Sequence, residues 1–182
     1  MKKVINCLTE DNPVINKKLR KVSVNEGLKI AEELLNILSK RKDSIGLAAN
    51  QVGKGLAVTV IDIADAEEDG IPSPLTLINP VIEAFSDEEE EFEEGCLSLP
   101  DFRDRVIRPE AIQVRYLDRF MKEQVAEVGG LLARVMQHEI DHLHGIYFFE
   151  RLSPIRRTLS SSKLKRIAKG QVETEYPLHK EP

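Results

Sequence analysis

Residues 137–145, Gln-His-Glu-Ile-Asp-His-Leu-His-Gly, restrict the possible fold of this chain more than any other stretch. They contain the pattern His138-Glu139-x-x-His142. Four residues make about one helical turn, so in a helix both imidazoles project from the same face. Two neutral imidazoles on one face can bind a divalent metal, and the glutamate between them can transfer protons beside it. The pattern therefore predicts a helix placed where a metal site can be completed.

The neighbouring residues independently predict this helix. One row recurs at spacings of four, three and four residues and consists of Leu131, Val135, His138 and His142. A second, apolar row consists of Leu132, Met136, Ile140 and Leu143. Both rows match the helical period. Gly129 and Gly130 mark the expected start of the helix, and Gly145 is its expected C-terminal stop.

A metal site of this kind needs a third protein ligand, and the sequence offers several candidates. One branch of the zincin metalloproteases has a further histidine downstream of the motif, but Phe148 occupies that position here. His144 would project about 200° away from His142 around the helix, and His179 lies in a tail of low apolar content. Cys96 remains, and its thiolate binds borderline metals well. Two histidines and one cysteine leave a fourth position for water, which is typical of a catalytic site.

These residues together indicate hydrolysis of an amide-like bond. A metal lowers the pKa of bound water, so that hydroxide forms near neutral pH. Glu139 could take the water proton and pass it to a leaving amine. The oxyanion then needs hydrogen-bond donors, for which the backbone N–H of Leu97 and the side-chain amide of Gln51 are candidates.

Composition narrows the class of protein. The chain has 182 residues, 41% of them apolar, which predicts a single domain, 1–182, with a substantial core. Its net charge of −5 argues against general nucleic-acid affinity, so no DNA partner is expected. The N-terminus lacks the apolar core of a secretory signal, and no stretch approaches the roughly 18 apolar residues that span a bilayer. Cys7 and Cys96 suit a reducing compartment, so we expect a bacterial cytoplasmic protein with no membrane partner.

Periodicity and turn residues predict the remaining elements. An amphipathic helix is expected over residues 26–41, capped by Asn25. A basic helix is expected over residues 153–169, followed by a mobile tail, 170–182. Residues 64–74 are expected to form a loop. The expected strands cover residues 56–63, 75–78, 81–85, 112–116 and 123–128, with a break at Asn79-Pro80 between the second and third. The strand at 123–128 is expected to pair antiparallel with the strand at 112–116.

Two other segments have more than one interpretation. Residues 44–51, Ser-Ile-Gly-Leu-Ala-Ala-Asn-Gln, would let backbone approach a ligand closely, but they also fit a tight packed turn. Residues 87–94 carry seven acids in eight residues, which favours a solvated hairpin edge. Cys96 follows this run where a glycine and a proline bend the backbone; a cysteine there lies beside a site or is a small buried hydrophobe.

Three segments, in this order, resemble the motifs of the peptide deformylases: Gly46-Leu-Ala-Ala-Asn-Gln51, Glu94-Gly-Cys-Leu-Ser98 and Gln137-His-Glu-Ile-Asp-His142. The resemblance extends from about residue 15 to Pro154. The family removes the formyl group from the N-terminal formylmethionine of nascent chains and releases formate. The resemblance implies an α+β fold, in which antiparallel strands surround a central metal-binding helix, with an N-terminal and a C-terminal helix.

The resemblance also implies roles for individual residues. The metal ligands would be Cys96, His138 and His142. Glu139 would be the general acid and base, and Gln51 with the amide of Leu97 would stabilise the oxyanion. Gly46 would form backbone hydrogen bonds to the substrate, and Arg103 would lie near the substrate chain. The implied cofactor is one divalent metal, iron(II) in most members, with zinc, nickel or cobalt also able to occupy the site.

The sequence departs from the family pattern in three places. Ser44 stands where many members have glycine, and Arg134 stands where an apolar pocket residue is common. The link 118–122 lacks the glycine often found in that hairpin turn. In some relatives the C-terminal helix docks on the ribosome. The residues here that could contact ribosomal RNA in the same way are Arg156, Arg157, Lys163, Lys165, Arg166 and Lys169.

Two other hypotheses compete with a deformylase. A zincin-type endopeptidase would cleave internal peptide bonds and would be indifferent to the loss of Cys96. A non-catalytic metal-binding or ribosome-binding protein would bind metal without releasing formate. This chain keeps Glu139 and all three candidate ligands, which argues against the non-catalytic alternative.

Overall fold

The computed structural model describes residues 4–5, 7–8, 18–41, 43–63, 73–174, 176 and 178–179. Three helices and nine strands are present in these residues. The helices are α1 (Val24–Leu38), α2 (Gly130–Leu143) and α3 (Pro154–Ala168), with short 3₁₀ turns at Ala49–Val52 and Phe148–Arg151. The strands are β1 (Val4–Ile5), β2 (Gly46–Ala48), β3 (Val58–Ile61), β4 (Leu75–Phe85), β5 (Glu89–Cys96), β6 (Leu99–Pro109), β7 (Ile112–Leu117), β8 (Glu123–Val128) and β9 (Leu178–His179). The α+β class expected from the sequence is confirmed.

The strands form three sheets. An antiparallel five-stranded sheet has the order β2-β3-β4-β7-β8, β5 and β6 form an antiparallel hairpin, and β1 pairs in parallel with β9. The predicted pairing of 112–116 with 123–128 is confirmed as β7 and β8. The predicted strand at 56–63 is confirmed as β3, whose four residues are all buried.

Helix α2 lies against the five-stranded sheet. Its apolar row, which includes Leu132, Met136 and Ile140, is buried in one cluster with Ile61 and Leu77 of the sheet. The predicted boundaries are confirmed, since Gly129 is the N-cap and Gly145 follows the C-cap with a φ of 75°. The side of α2 that carries His138 faces the β5–β6 hairpin. The helix therefore spans the space between sheet and hairpin.

Helix α1 begins earlier than predicted. Its N-cap is Ser23, whose carbonyl accepts a hydrogen bond from Gly27 N–H at 2.9 Å. The prediction that Asn25 is the cap is wrong, because Asn25 lies inside the first turn. Gly27 lets this helix approach β4 closely, since a Cβ there would lie 2.8 Å from Cγ2 of Ile78.

The break predicted at Asn79-Pro80 is a bulge within one strand. Strand β4 runs through both residues, and its register against β7 shifts between Ile78 and Val81. Asn79 adopts a φ of 53°, and its side chain bonds both the N–H and the carbonyl of Val22 at 2.9 Å. The prediction of two separate strands is therefore wrong, because these contacts with a distant segment keep the irregular residues inside the sheet.

The C-terminal helix α3 begins where predicted. Ser153 is its N-cap and Pro154 occupies the first turn. Within the predicted tail, β9 pairs with β1, and the Tyr176 hydroxyl donates to the carbonyl of Leu97 at 2.7 Å. The mobility of residues 170–182 stays a prediction. Most of the predicted loop, residues 64–72, lies outside the described residues. Of the helices described, none has the length and apolar content required to cross a bilayer.

Candidate metal centre and its pocket

The structure brings Cys96, His138 and His142 together. Cys96 is the last residue of β5, and the two histidines lie one turn apart on α2. Their possible ligand atoms all lie within 4.8 Å of one another, and Sγ of Cys96 is 3.3 Å from Nε2 of His142. A strand end and a helix thus converge on one point, although Cys96 lies 42 positions before His138 in the sequence.

The chemistry of this cluster fits one divalent cation. Burial, with the nearby His138 and Arg108, holds the pKa of His142 well below its ordinary value, so this ring is neutral, the form that binds metal. Nδ1 of His138 lies 2.8 Å from Oε2 of Glu94, which leaves the other ring nitrogen available to a cation. One thiol and two imidazoles are a donor set that borderline metals prefer.

Glu94 is the centre of a buried ionic network next to these histidines. Its carboxylate accepts hydrogen bonds from Arg108 Nε at 2.7 Å, Arg108 Nη2 at 3.0 Å and Arg134 Nη1 at 3.1 Å. Asp141 accepts from Arg108 and from Arg151. Burial alone would raise the pKa of Glu94, but the hydrogen bonds from His138 and Arg108 outweigh it and hold that pKa far below its usual range. Glu94 therefore stays ionised and fixes the ring orientation of His138.

The sequence interpretation of the acidic run is therefore wrong for Glu94. Residues 87–91 are on an exposed hairpin as predicted, but Glu94 is 5% exposed. Glu94 and Cys96 both contact the histidines of α2, through His138 and His142 respectively. The signal that could have identified Glu94 is its place two residues before Cys96, a candidate ligand.

Glu139 lies in a buried recess beside the cluster. Oγ1 of Thr59 lies 3.3 Å from Oε2 of Glu139, and Gly46 packs directly against the carboxyl group. Burial raises the pKa of Glu139 to about 7, although His138 and Thr59 act in the opposite direction. A carboxyl group that gains and loses a proton near neutral pH is suited to general acid and base catalysis.

Gln51 and Leu97 lie on the other side of Cys96. Nε2 of Gln51 is 3.4 Å from Sγ of Cys96 and donates to Oγ of Ser98 at 3.2 Å. Oε1 of Gln51 accepts from Ala48 N–H at 2.8 Å, which fixes which end of the amide faces the cysteine. Leu97 is in the turn that joins β5 to β6. Both candidate oxyanion donors therefore adjoin the cluster.

One open pocket of about 670 Å³ leads to this cluster. Gly46, Leu131 and Val135 contribute to its lining, together with His138 and Glu139. Arg134 also lines it, but hydrogen bonds to Glu94 and to the carbonyls of Glu90 and Val106 hold its guanidinium. These bonds satisfy the charge within the protein.

The rim of the pocket carries the other two predicted positions. Arg103 lies over Gly95 and leaves its guanidinium exposed, 3.9 Å from Glu93. Ser44 donates from Oγ to the carbonyl of Gly46 at 2.9 Å. Ser44 is therefore bonded to the backbone of a predicted substrate-binding residue.

The two positions near the motif that the zincin alternative would use, Phe148 and His144, form other contacts. Phe148 stacks on His138 and Phe102, with ring centroids 6.0 Å and 5.3 Å apart. His144 bonds the carbonyl of Ile140 through Nδ1 at 2.9 Å. Neither supports the zincin arrangement. Within the described residues, the His/Cys/Asp/Glu group able to hold a metal is Cys96, His138 and His142.

A His-Glu-x-x-His helix that faces a cysteine at the end of a pocket defines a metal-dependent hydrolase. The family model described as Polypeptide deformylase matches residues 4–158. The chain therefore belongs to the peptide deformylase family, whose members remove N-formyl groups, and the resemblance seen in the sequence is confirmed.

Individual relatives agree with this assignment. The chain is 43% identical to the peptide deformylase of Salinibacter ruber over 165 residues, which are 85% of each chain. It is 38% identical to that of Chlorobium phaeobacteroides over 172 residues, 93% of this chain and 92% of the relative. The structure of the Thermus thermophilus enzyme superposes with a TM-score of 0.79 at 33% identity, covering 94% of this chain and 99% of that one. Arabidopsis thaliana peptide deformylase 1B gives a TM-score of 0.80 at 29% identity, covering 93% and 91%.

Proposed function

We propose that this chain, residues 1–182 as a single catalytic domain, hydrolyses the N-formyl group of N-formylmethionyl nascent peptides and releases formate. The observation that carries the proposal is the convergence of Cys96, His138 and His142 within 4.8 Å, at a pocket that Cys96, His138 and Glu139 line. The placement of such an enzyme in the bacterial cytoplasm, where nascent formylated chains are made, is part of the proposal.

Cys96, His138 and His142 would hold one divalent metal. When bound, that ion supplies a Lewis acid and lowers the pKa of water. Glu139 takes a proton from the attacking water at its carboxylate and delivers it to the departing peptide amine. Its raised pKa, about 7, suits both halves of this transfer. Glu94 holds His138 in place throughout by accepting a hydrogen bond from Nδ1.

Gln51 and Leu97 would stabilise the oxyanion that forms on the formyl oxygen when water adds to the formyl carbon. The Gln51 amide N–H group already points toward Cys96. The Leu97 N–H belongs to the peptide bond that directly follows Cys96. Gly46 would bond the main chain of the peptide from the pocket side, and Arg103 would contact the peptide at the rim. These four residues would orient the substrate and stabilise the negative charge of the oxyanion. Stabilisation of that charge is usually the largest single contribution to the rate gain in acyl transfer.

Iron(II) is the metal we propose, with zinc, nickel or cobalt able to occupy the same residues. The support is the donor set, in which a thiolate and two imidazoles suit any of these ions. A thiolate beside ferrous iron is oxidised readily. Formate release by the iron-loaded protein should therefore decline on aeration, and an iron form that keeps full activity in air would contradict this assignment.

Formate release from formyl-Met-Ala-Ser tests the function. We expect Glu139→Gln to bind metal normally but to lose about 10²- to 10⁴-fold in kcat, because proton transfer contributes that much. Cys96→Ala should lose both metal and activity. Cleavage of internal peptide bonds by a Cys96→Ala variant would instead support the endopeptidase alternative. Bound metal without any formate release by the unaltered protein would support the non-catalytic one.

The basic helix α3 is proposed to contact the ribosome. The helix contains no acidic residue, and Arg157, Lys165, Arg166 and Lys169 are exposed. Arg156 and Lys163 instead pair with Asp104 and Asp101 of the β5–β6 hairpin. Reversing the charge of Arg157 and Lys165 should weaken salt-sensitive ribosome binding and leave deformylation of a free peptide unchanged. Ribosome binding that is insensitive to this reversal would contradict the proposal.

A further inference from the structure

The turn that joins β5 to β6 is held by both ends of the chain. This turn, Leu97–Ser98, follows Cys96 directly and carries the proposed oxyanion donor. The carbonyl of Ser98 accepts a hydrogen bond from the N–H of Cys7 at 3.2 Å. The carbonyl of Leu97 accepts one from the hydroxyl of Tyr176 at 2.7 Å. Two successive carbonyls of the turn are thus bonded by residues that lie 169 positions apart in the sequence.

Tyr176 is fixed in place by its own contacts. Its ring packs against the buried cluster that contains Leu97 and Val4, and the guanidinium of Arg41 lies 4.3 Å from its centroid. Its carbonyl accepts a hydrogen bond from Oγ1 of Thr174 at 2.6 Å. These contacts hold the ring of Tyr176 in place, so that its hydroxyl lies against the Leu97–Ser98 turn.

The two chain ends also support each other. Strands β1 and β9 pair in parallel, with Val4 opposite Leu178 and Ile5 opposite His179. Cys7 follows the end of β1 by two residues, and Tyr176 precedes the start of β9 by two residues. Tyr176 also lines the pocket together with Leu97 and Ser44. The C-terminal segment is therefore part of the substrate pocket as well as part of the support for the turn.

We propose that Tyr176 is a positioning residue for deformylation, whose hydroxyl fixes the Leu97–Ser98 turn so that the N–H of Leu97 is held in place for the oxyanion. The inference rests on the proposed function, because it is the oxyanion role of Leu97 that gives this hydrogen bond a catalytic consequence. A turn with freely rotating peptide planes would have to be ordered in the transition state, whereas a fixed donor needs no such reorganisation.

Tyr176→Phe removes the hydroxyl and keeps the ring, so it is the variant that tests this inference. We expect kcat for formyl-Met-Ala-Ser to fall about three- to tenfold, the equivalent of one hydrogen bond, while KM and metal content stay unchanged and the melting temperature falls by only about 2–4 °C, the cost of that bond in the folded state. Amide hydrogen exchange at Leu97 and Ser98 should become faster, with the protection of α2 unaltered. Glu173→Gln, an exposed change in the same segment, is the matched control and should behave as the unaltered protein does.

The possible outcomes separate the two proposals. If the unaltered protein binds metal but releases no formate, the proposed function fails, while exchange at the turn still reports whether Tyr176 orders it. If the unaltered protein is active and Tyr176→Phe matches it in kcat, the positioning role is overturned. A loss of kcat that partial unfolding at the assay temperature or lower metal content accounts for also overturns it. Tyr176→Leu, which keeps an apolar side chain, should show the same loss of kcat together with a raised KM, because the pocket loses the ring.

Discussion

Gly46 and Glu139 approach each other so closely that any side chain at position 46 would displace the carboxyl group of Glu139. A Cβ added there would lie 2.8 Å from Cδ of Glu139. Glu139 is buried on α2 and has little room to retreat. The glycine is therefore required by the position of the carboxyl group that we propose as acid and base, in addition to its proposed backbone contact with the substrate.

Gly46→Ala should displace the carboxyl group of Glu139 from its proton-transfer position. We expect kcat to fall about 10²-fold, the effect of misplacing a catalytic group by roughly 1 Å, with metal affinity retained. Formate assays and metal titration measure the two quantities. Gly129→Ala is the matched control, because a Cβ there meets nothing closer than 3.9 Å. Equal activity in the two variants would show that Glu139 needs no such space.

Glu94→Gln should weaken metal binding and folding together. The amide would present a donor to His138 or to one of the arginines, which leaves a buried cation without its counter-charge. We expect metal affinity to fall about 10- to 100-fold and the free energy of unfolding to fall by about 3 kcal/mol. Glu93→Gln, on the exposed face of the same strand, should change neither. Metal titration and denaturant unfolding are the measurements, and unaltered metal affinity would refute the role of Glu94.

At the scale of single residues, the local sequence pattern identified the residues of a motif. It missed the residues that a distant part of the chain contributes to the site. His138, Glu139 and His142 follow from helical spacing alone. Cys96 followed from elimination of Phe148 and His144. Tyr176 had no signal, because its partner Leu97 lies 79 residues earlier and only the folded chain brings them together.

Among the elements, regular apolar periodicity predicted the boundaries of helices and strands better than isolated turn residues did. Helix α2 was predicted to within a residue or two because its two apolar rows extend along its length. Strand β4 was predicted as two pieces because Asn79-Pro80 is a turn signal in isolation. The contacts of Asn79 with Val22 outweigh that signal, and they involve a segment that lies 57 positions earlier.

The turn between β7 and β8, residues 118–122, forms without a glycine. Oδ1 of Asp118 accepts hydrogen bonds from Phe120 N–H at 2.7 Å and Lys122 N–H at 3.0 Å. Oδ2 accepts from Nε2 of Gln124 at 2.7 Å. Met121 adopts a φ of 65°, a conformation that side chains other than glycine disfavour. The carboxylate of Asp118 therefore stabilises a turn that carries backbone strain at Met121.

Met121→Gly should stabilise the protein by removing this strain. Left-handed backbone costs a residue with a Cβ about 1–2 kcal/mol, and the greater freedom of glycine in the unfolded chain offsets about half of that gain. We expect the melting temperature to rise by about 1–4 °C without any change in kcat. Phe120→Gly changes a neighbouring residue without a positive φ and should lower the melting temperature. A decrease with Met121→Gly would mean that the strain is absent.

Over the whole molecule, the candidate metal centre lies where separately buried cores meet. Helix α2 contributes to the core of the five-stranded sheet, whereas Cys96 packs on the core formed by β6, the 3₁₀ turn at Phe148–Arg151 and α3. Leu97 belongs to a third core, which contains α1. The sequence predicted the hairpin pairing of β7 with β8 because they are neighbours in the chain. It did not predict the pairing of β4 with β7 or of β1 with β9, since these depend on the arrangement of the cores.

A metal bound to Cys96, His138 and His142 would link two of these cores, so it should stabilise the whole fold. At a free metal concentration of 100 times Kd, binding adds about 2.7 kcal/mol to the free energy of unfolding. For a protein of this size, that corresponds to a rise of about 5–10 °C in melting temperature. Calorimetry with nickel(II) added, and with the metal removed by a chelator, measures the shift. Cys96→Ala should abolish most of it, and Cys7→Ala, which changes the other cysteine, should retain it. An equal shift in both variants would show that the metal binds elsewhere.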